Sequence, residues 1–129
     1  MQNWRGAIIP EPVSTSITSN IVTAPGEYSP NDGETVVSED SPNGLNIRPL
    51  PTDFKKGQSF TVLGYTGQSG WQVTQGSGQY CYMGSVGTTV GPTGYVASQT
   101  PRDNAIFSCV DDNSLIYTVL TGSASLDFY

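Results

Sequence analysis

Short runs in which every second residue is apolar recur from residue 45 onward: Leu45-Asn46-Ile47, Phe60-Thr61-Val62 and Trp71-Gln72-Val73-Thr74. A period of two is the pattern of a strand with one face against a core. Tyr80-Cys81-Tyr82-Met83 and Gly94-Tyr95-Val96-Ala97 continue it, separated by a glycine-rich stretch over 84–94. Residues 106–110 and 115–120 flank Asp111-Asp112-Asn113-Ser114, which has the composition of a four-residue hairpin loop. In that register Ile106, Ser108, Val110, Leu115, Tyr117 and Val119 share one face; Phe107, Cys109, Ile116, Thr118 and Leu120 share the other. Both faces are largely apolar, which predicts burial on both sides. No run combines a 3.6-residue period with caps, so little helix is expected.

The first 44 residues read differently. They hold five of the nine prolines and six acids against Arg5, a net charge of −5, whereas residues 45–129 carry only −1. Proline removes a backbone donor and fixes φ, so 1–44 is expected to be an extended acidic arm rich in Pro, Ser and Thr. Its β-prone runs are Ile8-Ile9, Thr15-Ser16-Ile17-Thr18 and Ile21-Val22-Thr23. Ser29-Pro30-Asn31 recurs as Ser41-Pro42-Asn43, each with a glycine close behind, which is local turn chemistry around a short strand over 34–38.

Composition narrows the function. The chain has 129 residues, room for one domain with tails. Counting along the sequence gives 15 Ser and 14 Thr beside 15 Gly, and only 12% of residues are charged. That suits many short strands and turns. With no His and two Cys, most metal sites and most acid–base catalysis near neutral pH are unsupported, so no cofactor and no enzymatic activity are expected. Five basic residues in a chain of net charge −6 argue against nucleic acid as a partner. No apolar stretch is long enough to insert in a membrane. Residues 1–10 hold no apolar run of signal-peptide type, which leaves a cytoplasmic chain or a mature exported one.

Residues 45–98 carry a resemblance. Leu45-Asn46-Ile47-Arg48, the segment Phe54-Lys55-Lys56-Gly57 leading to Phe60-Thr61-Val62-Leu63-Gly64, then Gly70-Trp71-Gln72-Val73 and Gly94-Tyr95-Val96-Ala97 occur in order. This resembles the bacterial SH3 (SH3b) pattern of an LNVR strand, a basic-Gly segment with a following strand, a GW strand and a closing GYV. The spacer between Arg48 and Lys55 is shorter than in that family. The insert over 75–93 is longer, and a hairpin over 105–121 follows where the family domain normally stops. The resemblance implies a small barrel with a non-catalytic groove for a cell-wall peptide or a protein. The aromatics available for such a groove are Tyr65, Trp71, Tyr80, Tyr82 and Tyr95. Trp71 and Tyr95 suit core or edge positions better, while Tyr80 and Tyr82, two apart on one strand face, suit exposed contact.

Cys81 and Cys109 are either a disulfide closing a loop of about 29 residues or two buried thiols. A bridge would stabilise by about 3–4 kcal/mol and would favour an extracellular, periplasmic or virion setting over the cytoplasm. Their position beside large aromatics on strands favours the bridge. Asp111-Asp112-Asn113 lacks the alternating acids, Gly and Glu of a calcium loop and reads as a solvated turn. Gly67-Gln68-Ser69-Gly70 is not a nucleophile elbow, and the glycine-rich run holds no phosphate-binding signature.

The sequence therefore predicts an all-β protein, a small SH3-like barrel or sandwich with an added C-terminal hairpin and an N-terminal arm. The expected role is non-enzymatic: a subunit of a larger assembly (a virion decoration or adaptor protein, or a secretion or filament component) using its arm to contact itself or other subunits. The alternative is an exported SH3b-type module recognising peptidoglycan peptide or a protein ligand.

Overall fold

The computed structural model describes residues 21–24, 26–38, 44–47, 50–65, 70–121 and 126–129. The described residues form twelve strands and no helix. They are β1 (Ile21–Ala24), β2 (Glu27–Tyr28), β3 (Thr35–Ser38), β4 (Leu45–Ile47), β5 (Ser59–Gly64) and β6 (Trp71–Thr74), followed by β7 (Tyr80–Met83), β8 (Val86–Gly87), β9 (Tyr95–Ser98), β10 (Asn104–Cys109), β11 (Ile116–Thr121) and β12 (Leu126–Phe128). One sheet has seven strands in the order β1-β3-β5-β10-β11-β7-β8, and the other has five in the order β12-β9-β6-β4-β2. Both are open sheets sharing one core, so the sandwich expectation holds and the closed barrel does not.

The chain alternates between the sheets. β1, β3 and β5 enter the larger sheet while β2, β4 and β6 enter the smaller one. A strand that crosses to the opposite sheet and returns runs in its original direction. That is why β1–β3, β3–β5, β2–β4 and β4–β6 all pair in parallel. This corrects the expected arm over 1–44 wherever the structure describes it: β1, β2 and β3 are sheet strands, and Val36 is fully buried. The turn at Ser29-Pro30-Asn31 serves the crossing from β2 to β3. Pro30 is buried, Gly33 takes φ 82°, and Glu34 Oε1 accepts from the Asn31 amide at 2.8 Å. The β-prone runs at 8–9 and 15–18 and the second turn, Ser41-Pro42-Asn43, lie outside the described residues.

Aromatic rings join the two layers. Phe60 and Phe107, register partners on β5 and β10, stack with centroids 5.1 Å apart. Trp71 of the smaller sheet meets Phe107 edge-on at 6.2 Å. Phe54, from the segment between β4 and β5, lies 6.1 Å from both Phe60 and Tyr117. Each such side chain taken from water contributes roughly 1.5–3 kcal/mol.

The hairpin over 105–121 forms, with a different register. The Val110 amide donates to Ile116 O at 3.0 Å, so the loop has five residues, 111–115. Asp111 Oδ1 accepts from the amides of Leu115 and Ile116 at 3.0 and 3.1 Å, and Ser114 sits at φ 59°. These backbone donors hold the Asp111 carboxyl below its ordinary pKa against the desolvation that would raise it. The added residue slips β11 by one position and turns its side chains over. Ala105, Phe107, Cys109, Tyr117 and Val119 therefore share the buried face, while Ile106 and Leu120 are exposed. The expected burial on both sides is replaced by one buried and one open face.

Candidate functional site: the two outer sheet faces

The five aromatics expected in one groove are distributed over the fold. Trp71 is a core residue, 3% exposed, with its indole Nε1 donating to Asp103 O at 2.8 Å. Tyr65 is exposed at the end of β5. Tyr80 and Tyr82 point together from the larger sheet's outer face, half-buried, with Cys81 turned into the core between them. Tyr95 is on the other sheet, stacked on Tyr129 at 4.3 Å. Only Tyr80 and Tyr82 are brought to one surface.

Cys81 and Cys109 are free and buried, which removes the expected disulfide. They occupy neighbouring strands on either side of β11, both aligned with Tyr117. Two strand spacings, about 10 Å, exceed the Cα separation of at most about 7 Å that a disulfide spans. Burial pushes the Cys81 thiol up to about 12 and also raises Cys109, so neither is a thiolate nucleophile near neutral pH. No group of three His, Cys, Asp or Glu suited to a metal occurs among the described residues. No described helix is long and apolar enough to cross a membrane.

The outer face of the seven-stranded sheet is uncharged. One register row runs Ile21, Thr35, Thr61, Ile106, Leu120 across five strands. A second joins Val37, Leu63 and Asn104, and a third joins Ser59, Ser108, Thr118 and Tyr82. None of these positions holds Asp, Glu, Lys or Arg, although the chain as a whole carries −6. Leu120 is 57% exposed, Ile106 41% and Leu63 38%, so the apolar part reaches solvent.

The outer face of the five-stranded sheet is polar. Glu27, Asn46, Gln72, Ala97 and Asp127 form one row across all five strands. Small residues, Gly26, Gly44 and Ala97, leave a cleft of about 420 Å³ over this row. Leu45 and Trp71 border it, but their side chains are turned into the core.

Two buried glutamines, missed in the sequence, hold the segment over 75–94. Gln75 Nε2 donates to the carbonyls of Gln79, Thr89 and Gly91 at 2.8–3.0 Å, and its Oε1 accepts from Thr88 Oγ1 at 2.5 Å. Gln79 Nε2 reaches Ser114 O at 2.8 Å and Pro51 O at 3.1 Å. The only signal was a pair of amides four apart in the run Gln75-Gly76-Ser77-Gly78-Gln79.

Comparison with protein-family models, with curated proteins and with solved structures returns no match for this chain.

Proposed function

We propose that this chain is a non-enzymatic structural or interaction protein, a subunit of a larger assembly of the virion decoration, adaptor, secretion or filament kind. The observation that carries this reading is the uncharged outer face of the seven-stranded sheet, with Ile106 and Leu120 paired at its centre. A protein of net charge −6 meets another copy against like-charge repulsion on most surfaces, and this face is free of it. Contiguous exposed apolar area on a small domain marks interaction surface. In this reading the segment before β1, an edge strand of this sheet among the described residues, adds to the contact. The wall-peptide alternative has Tyr65, Trp71, Tyr80, Tyr82 and Tyr95 available for its groove, and the burial of Trp71 and the place of Tyr95 on the other sheet favour the assembly reading.

Light scattering on the full chain tests it, alongside Leu120→Lys and a chain lacking residues 1–20. The expected result is an oligomer that Leu120→Lys converts to a folded monomer and that the truncation weakens. A full-length monomer at all concentrations, or an oligomer indifferent to Leu120→Lys, would overturn the proposal.

A further inference from the structure

We propose that the cleft on the outer face of the five-stranded sheet binds a neutral, polyhydroxylated ligand, an oligosaccharide. This site is on the opposite face from the proposed assembly contact and stands without it. Its geometry comes from the register: Asn46 and Gln72 are direct partners on β4 and β6, and Ala97 faces Gln72 from β9. The two carboxamides thus stand side by side at the wall of the cleft, with Ala97 and Gly26 leaving the space beside them. Each carboxamide offers two donors and an acceptor, which matches the alternating donor and acceptor character of neighbouring hydroxyl groups. The Gln72 amide makes no hydrogen bond with the described residues, and the Asn46 Oδ1 contact with Thr74 is a long 3.5 Å. Both retain capacity for a ligand.

Chemistry selects the ligand class. No basic side chain borders the cleft among the described residues, so phosphate or sulfate has no counter-charge there. No large apolar side chain is presented into it, so a hydrocarbon ligand has no anchor. The volume falls in the range of small-ligand sites. A second feature on the same face supports sugar in particular. Tyr95 lies two residues from Ala97 and so projects to the same side. It stacks on Tyr129, which is 49% exposed. A flat ring surface beside hydrogen-bonding amides suits a pyranose, whose C–H face is apolar and whose rim is polar.

Titration of the full chain with soluble neutral hexasaccharides of glucose, mannose and N-acetylglucosamine, followed by amide NMR shifts, tests this. Saturable shifts at millimolar saccharide centred on Asn46, Gln72 and Ala97 are expected. Gln72→Ala should weaken binding about tenfold, the loss of one or two ligand hydrogen bonds. Ala97→Leu, which fills the cleft with little change to the core, should abolish it while circular dichroism stays unchanged. Spermine and a neutral peptide serve as controls. Shifts elsewhere, saccharide affinity indifferent to both substitutions, no shift with any saccharide, or cleft shifts with spermine or peptide alone would each overturn the assignment.

Discussion

Cys81 and Cys109 face the core in one register row, on the two sides of Tyr117. Tyr117 is fully buried between them, and its hydroxyl donates to Pro51 O at 2.8 Å. A bridge between the thiols would have to displace β11. Native protein is therefore expected to react with a thiol reagent only slowly, with both cysteines titrating after denaturation. Peptide mapping after air oxidation should find no link between them, and a linked pair from folded protein would refute this register.

The same burial has a consequence at alkaline pH. Burial pushes Cys81 up to about 12, and burial followed by the hydrogen bond to Glu34 pushes Tyr28 up to about 12. Tyr28 Oη donates to Glu34 Oε1 at 2.8 Å. A group with a raised folded pKa gives stability that is full below its unfolded value and is lost as pH rises through the folded one. The unfolded values are about 8.5 for Cys and about 10 for Tyr, so the urea midpoint should hold to about pH 8 and fall steadily toward pH 12. Cys81→Ala should flatten the part of that fall between about pH 8.5 and 10. An unchanged slope in that variant would contradict a buried neutral thiol.

Strand positions were legible because alternation is local: β4, β5, β6, β7 and β9 lie where the period of two put them. Sheet membership was not, because it depends on long-range parallel pairing. Thr35 meets Thr61 and Leu45 meets Trp71 across intervening segments that nothing local specifies. The hairpin shows how much one residue decides. Counting Leu115 into the strand set Tyr117 beside Ile106 and Ser108, whereas the five-residue loop puts it with Phe107 and Cys109 on the one buried face. The disulfide expectation failed for the same reason, since it needed β7 and β10 to be neighbours. The polar row over Glu27, Asn46 and Gln72 was invisible for want of the β2–β4–β6 pairing that assembles it.

Trp71 links the layers, so its removal is a stability experiment. Trp71→Ala deletes the edge contact with Phe107 and leaves Asp103 O without the indole donor. A cost of about 3–5 kcal/mol is expected, enough to unfold a marginal domain. Trp71→Phe keeps most of the volume and removes only the indole hydrogen bond, since Asp103 O still accepts from the Gly64 amide at 3.1 Å, so it should cost about 0.5–1.5 kcal/mol. Urea unfolding followed by circular dichroism gives both numbers. A Trp71→Ala protein with wild-type stability would place the ring outside the core.

Gln79 makes the sharpest test of the fold's polar interior. It is 1% exposed, with Oε1 accepting from the Gly76 amide at 2.7 Å and Nε2 donating to Ser114 O. Pro51 O has a second donor in Tyr117, so Gln79→Ala strands chiefly Ser114 O and the Gly76 amide. One buried carbonyl and one part-buried amide left unpaired predict a loss of about 1–4 kcal/mol. Gln79→Glu is worse at neutral pH, because it sets a carboxylate against the carbonyls of Pro51 and Ser114. Such a buried carboxyl has a folded pKa raised above its unfolded value near 4.3. Its stability is therefore present below that value and lost as pH rises. Urea midpoints at pH 7 should rank wild type above Gln79→Ala above Gln79→Glu, and Gln79→Glu alone should recover as pH falls from 7 toward its unfolded value near 4.3. If Gln79→Ala fell within about 0.5 kcal/mol of wild type, the amide would not be the clamp joining the 50–54 segment to the hairpin loop.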